Sequence, residues 1–483
     1  MKARRNPAVG VGRAARIHRA GRAGFTLVEL TVALVAGLIV ALGIVTLSRE
    51  ATRTFNEESR SSAAEAALRT AVDRLRADVA RAGYMSTGDI LADTAIAHAP
   101  GLNNLSNLLN LNMKGMRMLA ALQLIDGGSS GVDADVARLS GLQSPAIAPD
   151  VLLIGGNMTC AEQFDVQMIM PPVGNCQQIL LSPVSPAIYR VATAGLSSAL
   201  AGQELDNVFA PVAGNGTTAQ FMVRLLDDTG HTQYLATCAR PDVAGILNGQ
   251  PFLWIDSSDT QILTAAQTQG LGGVSGYAAG KAWVNPVQLV RWELTSTKQE
   301  SLDQAQFSTG LGNVVQGTQI DTNKLDLMRS YVDAWGATVK QTSEIVAEYA
   351  VDLDFAFTVD SSLVGLTQPN MVTFAFGDPL NANWAPDVST LSPPPASPPV
   401  NVGAQRVRSL RFRLVTRTAL PDRNVNVAVP NQFGLDTYMY RYCVPPPGQT
   451  TTNCATSDGT PRWARARTVT SEVALPNNSG AYY

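Results

Sequence analysis

The sequence predicts an α+β protein, a long N-terminal α-helix followed by a mainly antiparallel β-sheet head. Three observations carry this. Residues 25–47 form an apolar run of 23 residues with one charge, Glu29. The run continues unbroken into SREATRTFNEESRSSAAEAALRTAVDRLRADVARAGY, where Leu68, Val72, Leu75 and Val79 fall at i, i+4, i+7 and i+11. That spacing makes one narrow apolar stripe on a helix. Beyond Tyr84 the period changes to two, most clearly in IVAEYAVDLDFAFTV (345–359) and RVRSLRFRLVTRT (406–418).

Residues 1–24 carry seven Lys and Arg and no acid. Removing them leaves 29 basic against 39 acidic residues, a net charge of −10 for the remainder. An acidic body argues against general phosphate-backbone binding. As a helix the apolar run is about 35 Å long, enough to span a bilayer. Its basic flank is N-terminal, which sets residues 1–24 in the cytoplasm and projects the rest outward. A secretory signal peptide would end in a small-residue cleavage site, and here the run passes into a helix without one. Ala63, Ala64, Ala66, Ala67, Ala71 and Ala80 are strong helix formers, and Gly83 is a natural terminator. One helix is therefore expected from Phe25 to about Ala82, membrane-embedded over 25–47 and amphipathic over 48–83.

Of the body, 101–125 reads as a further helix or a flexible insertion. Short β runs follow at 150–155, 219–226, 232–238, 251–256 and 287–295, bounded by Gly, Asn, Asp and Pro. In 345–359 every odd position is apolar, and Glu348, Asp352 and Asp354 share the other face. In 406–418, Leu410, Phe412 and Leu414 share one face, while Arg411 and Arg413 share the opposite one. If the two strands pair, cross-strand ion pairs form between them. The competing use of those arginines, with Trp463, Arg465 and Arg467, is a DNA platform, which the matching acids disfavour. SPPPASPP (392–399) reads as a stiff linker, CVPPPGQTTTNC (443–454) as a loop and 463–478 as a final strand.

The five cysteines lack metal-ligand spacing, and only His98 and His231 lie beyond the leader, so no metal site is expected. Two local disulfides, Cys160 with Cys176 and Cys443 with Cys454, are the preferred reading, with Cys238 left over. Buried free thiols are the alternative. DSSDT (256–260) and DTNKLD (321–326) lack the spacing of a Ca²⁺ loop and read as solvated turns. There is no nucleophile elbow, P-loop, dinucleotide fingerprint or HExxH, so neither an enzyme nor a cofactor is expected.

The basic leader ending in Gly24, then Phe25, Thr26, Leu27, Val28 and Glu29, then the uncut helix, resembles the class III leader of type IV pilins and type II secretion pseudopilins. The resemblance implies that a prepilin peptidase cuts between Gly24 and Phe25 and N-methylates Phe25. It also implies that Glu29 pairs with the N-terminal amine of a neighbouring subunit. The other reading of Glu29 is a protonated carboxyl, or one that snorkels to the headgroups. Arg81-Ala82-Gly83-Tyr84, the Tyr349-x-Val351-Asp352 strand, the 407–417 strand and the closing Arg465-x-Arg467…Val473-Ala474-Leu475 are similar to the PilW-type minor pilins, relatives of the J-type minor pseudopilins. The resemblance covers 20–84 and 343–475. The closing stretch continues Pro476-Asn477 where the family has Arg-Asn, and the chain is longer than the family, with the excess in 85–344.

What the resemblance implies is a minor pilin with a pilin-type head carrying a large insertion. Such a subunit primes pilus assembly and sits at or near the pilus tip. Its implied partners are the prepilin peptidase, other minor pilins, the major pilin and the inner-membrane assembly platform. It would begin as a single-pass inner-membrane protein with a periplasmic head and end in the pilus at the cell surface. The division that follows is leader 1–24, polymerisation helix 25–47, its continuation 48–83, a first head part 84–344 and a β-rich part 345–483. The alternatives are a J-type minor pseudopilin, and a tip adhesin or DNA-uptake receptor acting through 85–344.

Overall fold

Helical structure runs without interruption from Leu27 to Ala80, 54 residues. The computed structural model describes residues 26–90, 93, 113–125, 149–160, 162–192, 198–211, 219–228, 230, 232–258, 282–295, 325–362, 369–376, 403–421, 428–430, 436–438, 442–444 and 463–478. The chain forms two compact units, residues 1–59 and 60–483. The described part of the first is Thr26 and the helix that begins at Leu27. The second contains the last turns of that helix and all the β-structure.

In the second unit the expected stripe is the buried face: Leu68, Val72, Leu75 and Val79 are all buried, with Ala71 between them. Beyond Ala80 the chain turns. Gly83 takes the left-handed φ of +70°, and its N–H donates to the Gly155 carbonyl at 2.8 Å. Asn477, from the far end of the chain, donates its side-chain amide to the Ala80 and Ala82 carbonyls at 3.2 Å each. Helix-end carbonyls that lack partners within the helix are thereby satisfied.

The larger sheet has 11 strands and is antiparallel throughout. Its organising element is the 14-residue strand Ala282–Thr295. The first half of that strand pairs with Met222–Asp227 and Phe164–Ile169; the second half pairs with Val151–Gly156 and Asp326–Val332. Along one face, Ala282 and Val284 enter a core with Phe164, Phe209, Phe221 and Leu253, roofed by helices Pro186–Ala192 and Ser198–Phe209. Further along the same face, Val290, Trp292 and Leu294 enter the core that holds the helix stripe. Val287 and Leu289, on the opposite face, join Met113, Met116 and Val332 in a third core. Burial on both faces explains why this strand lacks clean alternation in sequence.

The smaller sheet runs Met371–Thr373, Ala350–Asp360, Val407–Arg417, Ala466–Ala474, antiparallel throughout. Leu353 faces Leu414, Phe355 faces Phe412 and Phe357 faces Leu410, all buried in the helix-bearing core. On the other face Asp354 lies opposite Arg413, whose guanidinium pairs with Asp354 and, at 3.4 Å, with Asp352. The charge match between these two strands is thus realised.

The single strand expected over 345–359 is corrected. It is broken at Glu348–Tyr349, with Tyr349 at φ +55°. Thr338–Ala347 pairs with Asp326–Val332 in the larger sheet, and Ala350–Asp360 belongs to the smaller one. The corner is held because the Tyr349 N–H donates to Asp326 Oδ1 at 3.1 Å and its ring lies 5.0 Å from the Arg417 guanidinium. Alternation continues through the corner, so periodicity alone does not reveal it. Of 101–125, the described residues form one helical turn, Lys114–Arg117, and a strand, Leu122–Ile125. Residues 392–399 and 445–454 lie outside the described residues.

A buried ion pair ties the helix to the larger sheet. Arg329 Nε donates to Asp78 Oδ2 at 2.6 Å, and the Trp292 indole N–H donates to the same oxygen at 3.1 Å. The Arg329 and Asp78 side chains are 5% and 9% exposed. Burial disfavours the Arg329 charge, but Asp78 and Tyr331 outweigh it and its pKa is raised.

Candidate assembly helix

The first helical turn is built around Thr26 and Glu29. Glu29 Oε2 accepts from the Thr26 backbone N–H and from its hydroxyl, each at 3.0 Å. In return the Thr26 hydroxyl oxygen accepts from the Glu29 N–H at 3.3 Å. With Leu27 as the first helical residue, this is a reciprocal capping box, in which N-cap and N3 side chains satisfy each other's otherwise orphaned amides. The carboxylate also lies at the positive end of the helix dipole. Thr26-Leu27-Val28-Glu29 carries the T-x-x-E signature of that motif, a local signal separate from the pairing expected of Glu29. Only Oε2 is engaged; Oε1 has no partner among the described residues.

Downstream, Leu27, Val28, Leu30, Val32, Leu34, Leu38 and the remaining large apolar side chains as far as Leu47 are exposed. The hydroxyls in this stretch turn back on the helix: Thr31 donates to the Val28 carbonyl and Thr46 to the Gly43 carbonyl, both at 2.9 Å. Such back-bonding leaves no hydroxyl unsatisfied in an apolar solvent. The helix is long and apolar enough to cross a membrane. Gly24 and Phe25 lie outside the described residues.

The cysteine reading is corrected. Cys176 is bonded to Cys238, Cα to Cα 5.7 Å, and Cys160 is a free thiol whose pKa burial pushes up. Strand Gln250–Asp256 brings the bonded pair together. Cys176 lies opposite Asp256, and the Cys238 N–H donates to the Trp254 carbonyl at 3.0 Å. Cys160 sits instead beside Asn157, whose Oδ1 accepts its N–H at 3.1 Å. Cys443 is disulfide-bonded, and Cys454 lies outside the described residues.

The arginines weighed as a nucleic-acid platform have partners within the head. Arg411 donates to the Phe374 carbonyl at 2.6 Å, Arg413 pairs with Asp352 and Asp354, and Arg467 donates to Ser61 at 3.0 Å. Asp256 accepts from Ser258 and Gln220, and Asp326 from Tyr349. Among the described residues no three His, Cys, Asp or Glu side chains gather as a metal site. The chain matches no family model, no curated protein and no solved structure.

Proposed function

We propose that this chain is a minor pilin, a structural subunit that primes type IV pilus assembly and sits at or near the tip. One observation carries the reading. In sequence the Gly24-Phe25 junction stands just before a helix that carries Glu29 in its first turn, is apolar and exposed over its first half, and packs on antiparallel sheets over its last turns. An exposed apolar helix of this length needs lipid or other helices around it, and a filament core of packed helices supplies the second. A disulfide in the head supports an oxidising compartment beyond the inner membrane. This agrees with the orientation set by the basic leader.

Glu29 has two tasks in this reading. In the lone subunit it caps its own helix through Oε2. In the assembly its charge pairs with the N-terminal amine exposed when the peptidase has cut before Phe25. Pairing relieves a carboxylate that is costly in lipid and sets the axial register between subunits.

The test is the amount of pilus sheared from cells carrying an in-frame deletion, with protein secretion assayed on the same cultures. Loss of surface pili with secretion intact is expected, and a Glu29→Ala complement should restore pili poorly. Normal pili with lost secretion would refute a pilus role and assign the chain to a type II secretion pseudopilus.

A further inference from the structure

The smaller sheet ends on Ala466–Ala474, and among the described residues nothing pairs with its outer side. Which backbone groups face outward follows from its two ends. The Leu475 N–H donates inward to the Arg408 carbonyl at 2.8 Å, and the Arg465 carbonyl accepts from the Thr418 N–H at 2.9 Å. Inward and outward groups alternate in an antiparallel ladder. Odd-numbered residues therefore bond to Val407–Arg417, and Thr468, Thr470 and Glu472 present their N–H and C=O groups outward. The strand is nine residues long and has neither proline nor lysine, two devices that usually blunt an exposed edge.

The side chains on both faces are also those of a sheet one strand short. On the core face, Leu410 and Leu414 are fully buried, while Val473 and Val469 beside them are only partly covered. On the other face Glu472 is exposed. It accepts from the Ser409 hydroxyl at 2.6 Å and makes no ion pair among the described residues. The arginine opposite it, Arg411, is turned to the Phe374 carbonyl.

We propose that this edge docks an extended segment of a partner protein as an added antiparallel strand, with apolar residues opposite Val469 and Val473 and a Lys or Arg opposite Glu472. A second copy of the same strand fits worse. Self-pairing that sets Val469 against Val473 puts the two Glu472 carboxylates on one diagonal. Setting Val469 against Ser471, or against itself, separates them but puts Val473 opposite Arg467 or Arg465. The edge acts independently of Glu29 and the apolar helix.

The test uses the full chain in detergent and a fluorescein-labelled peptide, Thr-Val-Lys-Thr-Thr-Val-Thr, with its Glu-for-Lys counterpart, read by fluorescence anisotropy. The Lys peptide should bind saturably and the Glu peptide about tenfold more weakly, because a repulsive cross-strand pair replaces an attractive one. Glu472→Lys should reverse the preference. Thr470→Pro removes an outward N–H without touching the inner ladder, so binding should be lost with the melting temperature kept. The proposal is overturned if the Lys peptide does not bind, if Glu472→Lys leaves the preference unchanged, or if a folded Thr470→Pro binds as well as the parent. A wild-type dimer that Thr470→Pro dissolves would assign the edge to a second copy and overturn the partner.

Discussion

Replacing Arg329 by Met tests whether the Asp78 pair holds the helix on the sheet. The substitution leaves a carboxylate almost wholly buried, with the Trp292 indole N–H still donating to it. Breaking a buried pair from one side costs about 3–5 kcal/mol, because the remaining charge stays desolvated. Removing both partners is a different matter. Asp78→Leu combined with Arg329→Met gives back the desolvation cost of two ions, and the double variant should recover most of the loss. Denaturant unfolding of the full chain in detergent measures this. Trp292 is a reporter inside the network, so its fluorescence should also change in the folded baseline of either single variant. A loss under about 1 kcal/mol in Arg329→Met would refute the reasoning. So would a double variant as unstable as the worse single one, since the cost would then lie in lost packing.

Other expected outcomes concern Asp206 and the cysteines. Burial pushes the Asp206 carboxyl up to about 6, with the nearby Asp242 charge adding to it, although the Ala244 N–H donates to Asp206 at 2.8 Å. A folded-state pKa above the unfolded value gives stability that is full below about pH 4 and lost as pH rises through 6. Asp206→Asn should remove up to about 3 kcal/mol of that decline, checked by denaturant unfolding at pH 4 and pH 7. Cys238→Ser opens a loop spanning 62 residues of separation and should cost about 4 kcal/mol, whereas Cys160→Ser should leave stability within about 1 kcal/mol of the parent. Non-reducing peptide mapping should find Cys176 joined to Cys238, and a Cys160–Cys176 peptide would overturn that assignment.

Periodicity and composition by themselves determined the helix, its apolar first half and its buried stripe, because those features repeat every few residues and depend only on neighbours along the chain. The charge match between the strands around Asp354 and Arg413 was readable for the same reason: each strand shows its faces locally. The Thr26–Glu29 capping box was equally local and stood in the sequence as T-x-x-E. Tertiary structure alone decided the rest. Cys176 finds Cys238 because a third strand, Gln250–Asp256, lies between their segments, and no spacing rule encodes that. The break at Tyr349 is set by Asp326 and Arg417, remote residues that hold a corner through which alternation passes unchanged. Strand Ala282–Thr295 serves three cores, so its sequence is apolar on both faces and does not announce which neighbours it has. That no described residue pairs with the outer side of Ala466–Ala474 is likewise invisible in sequence, since whether a strand is central or terminal depends on what the remainder of the chain places beside it.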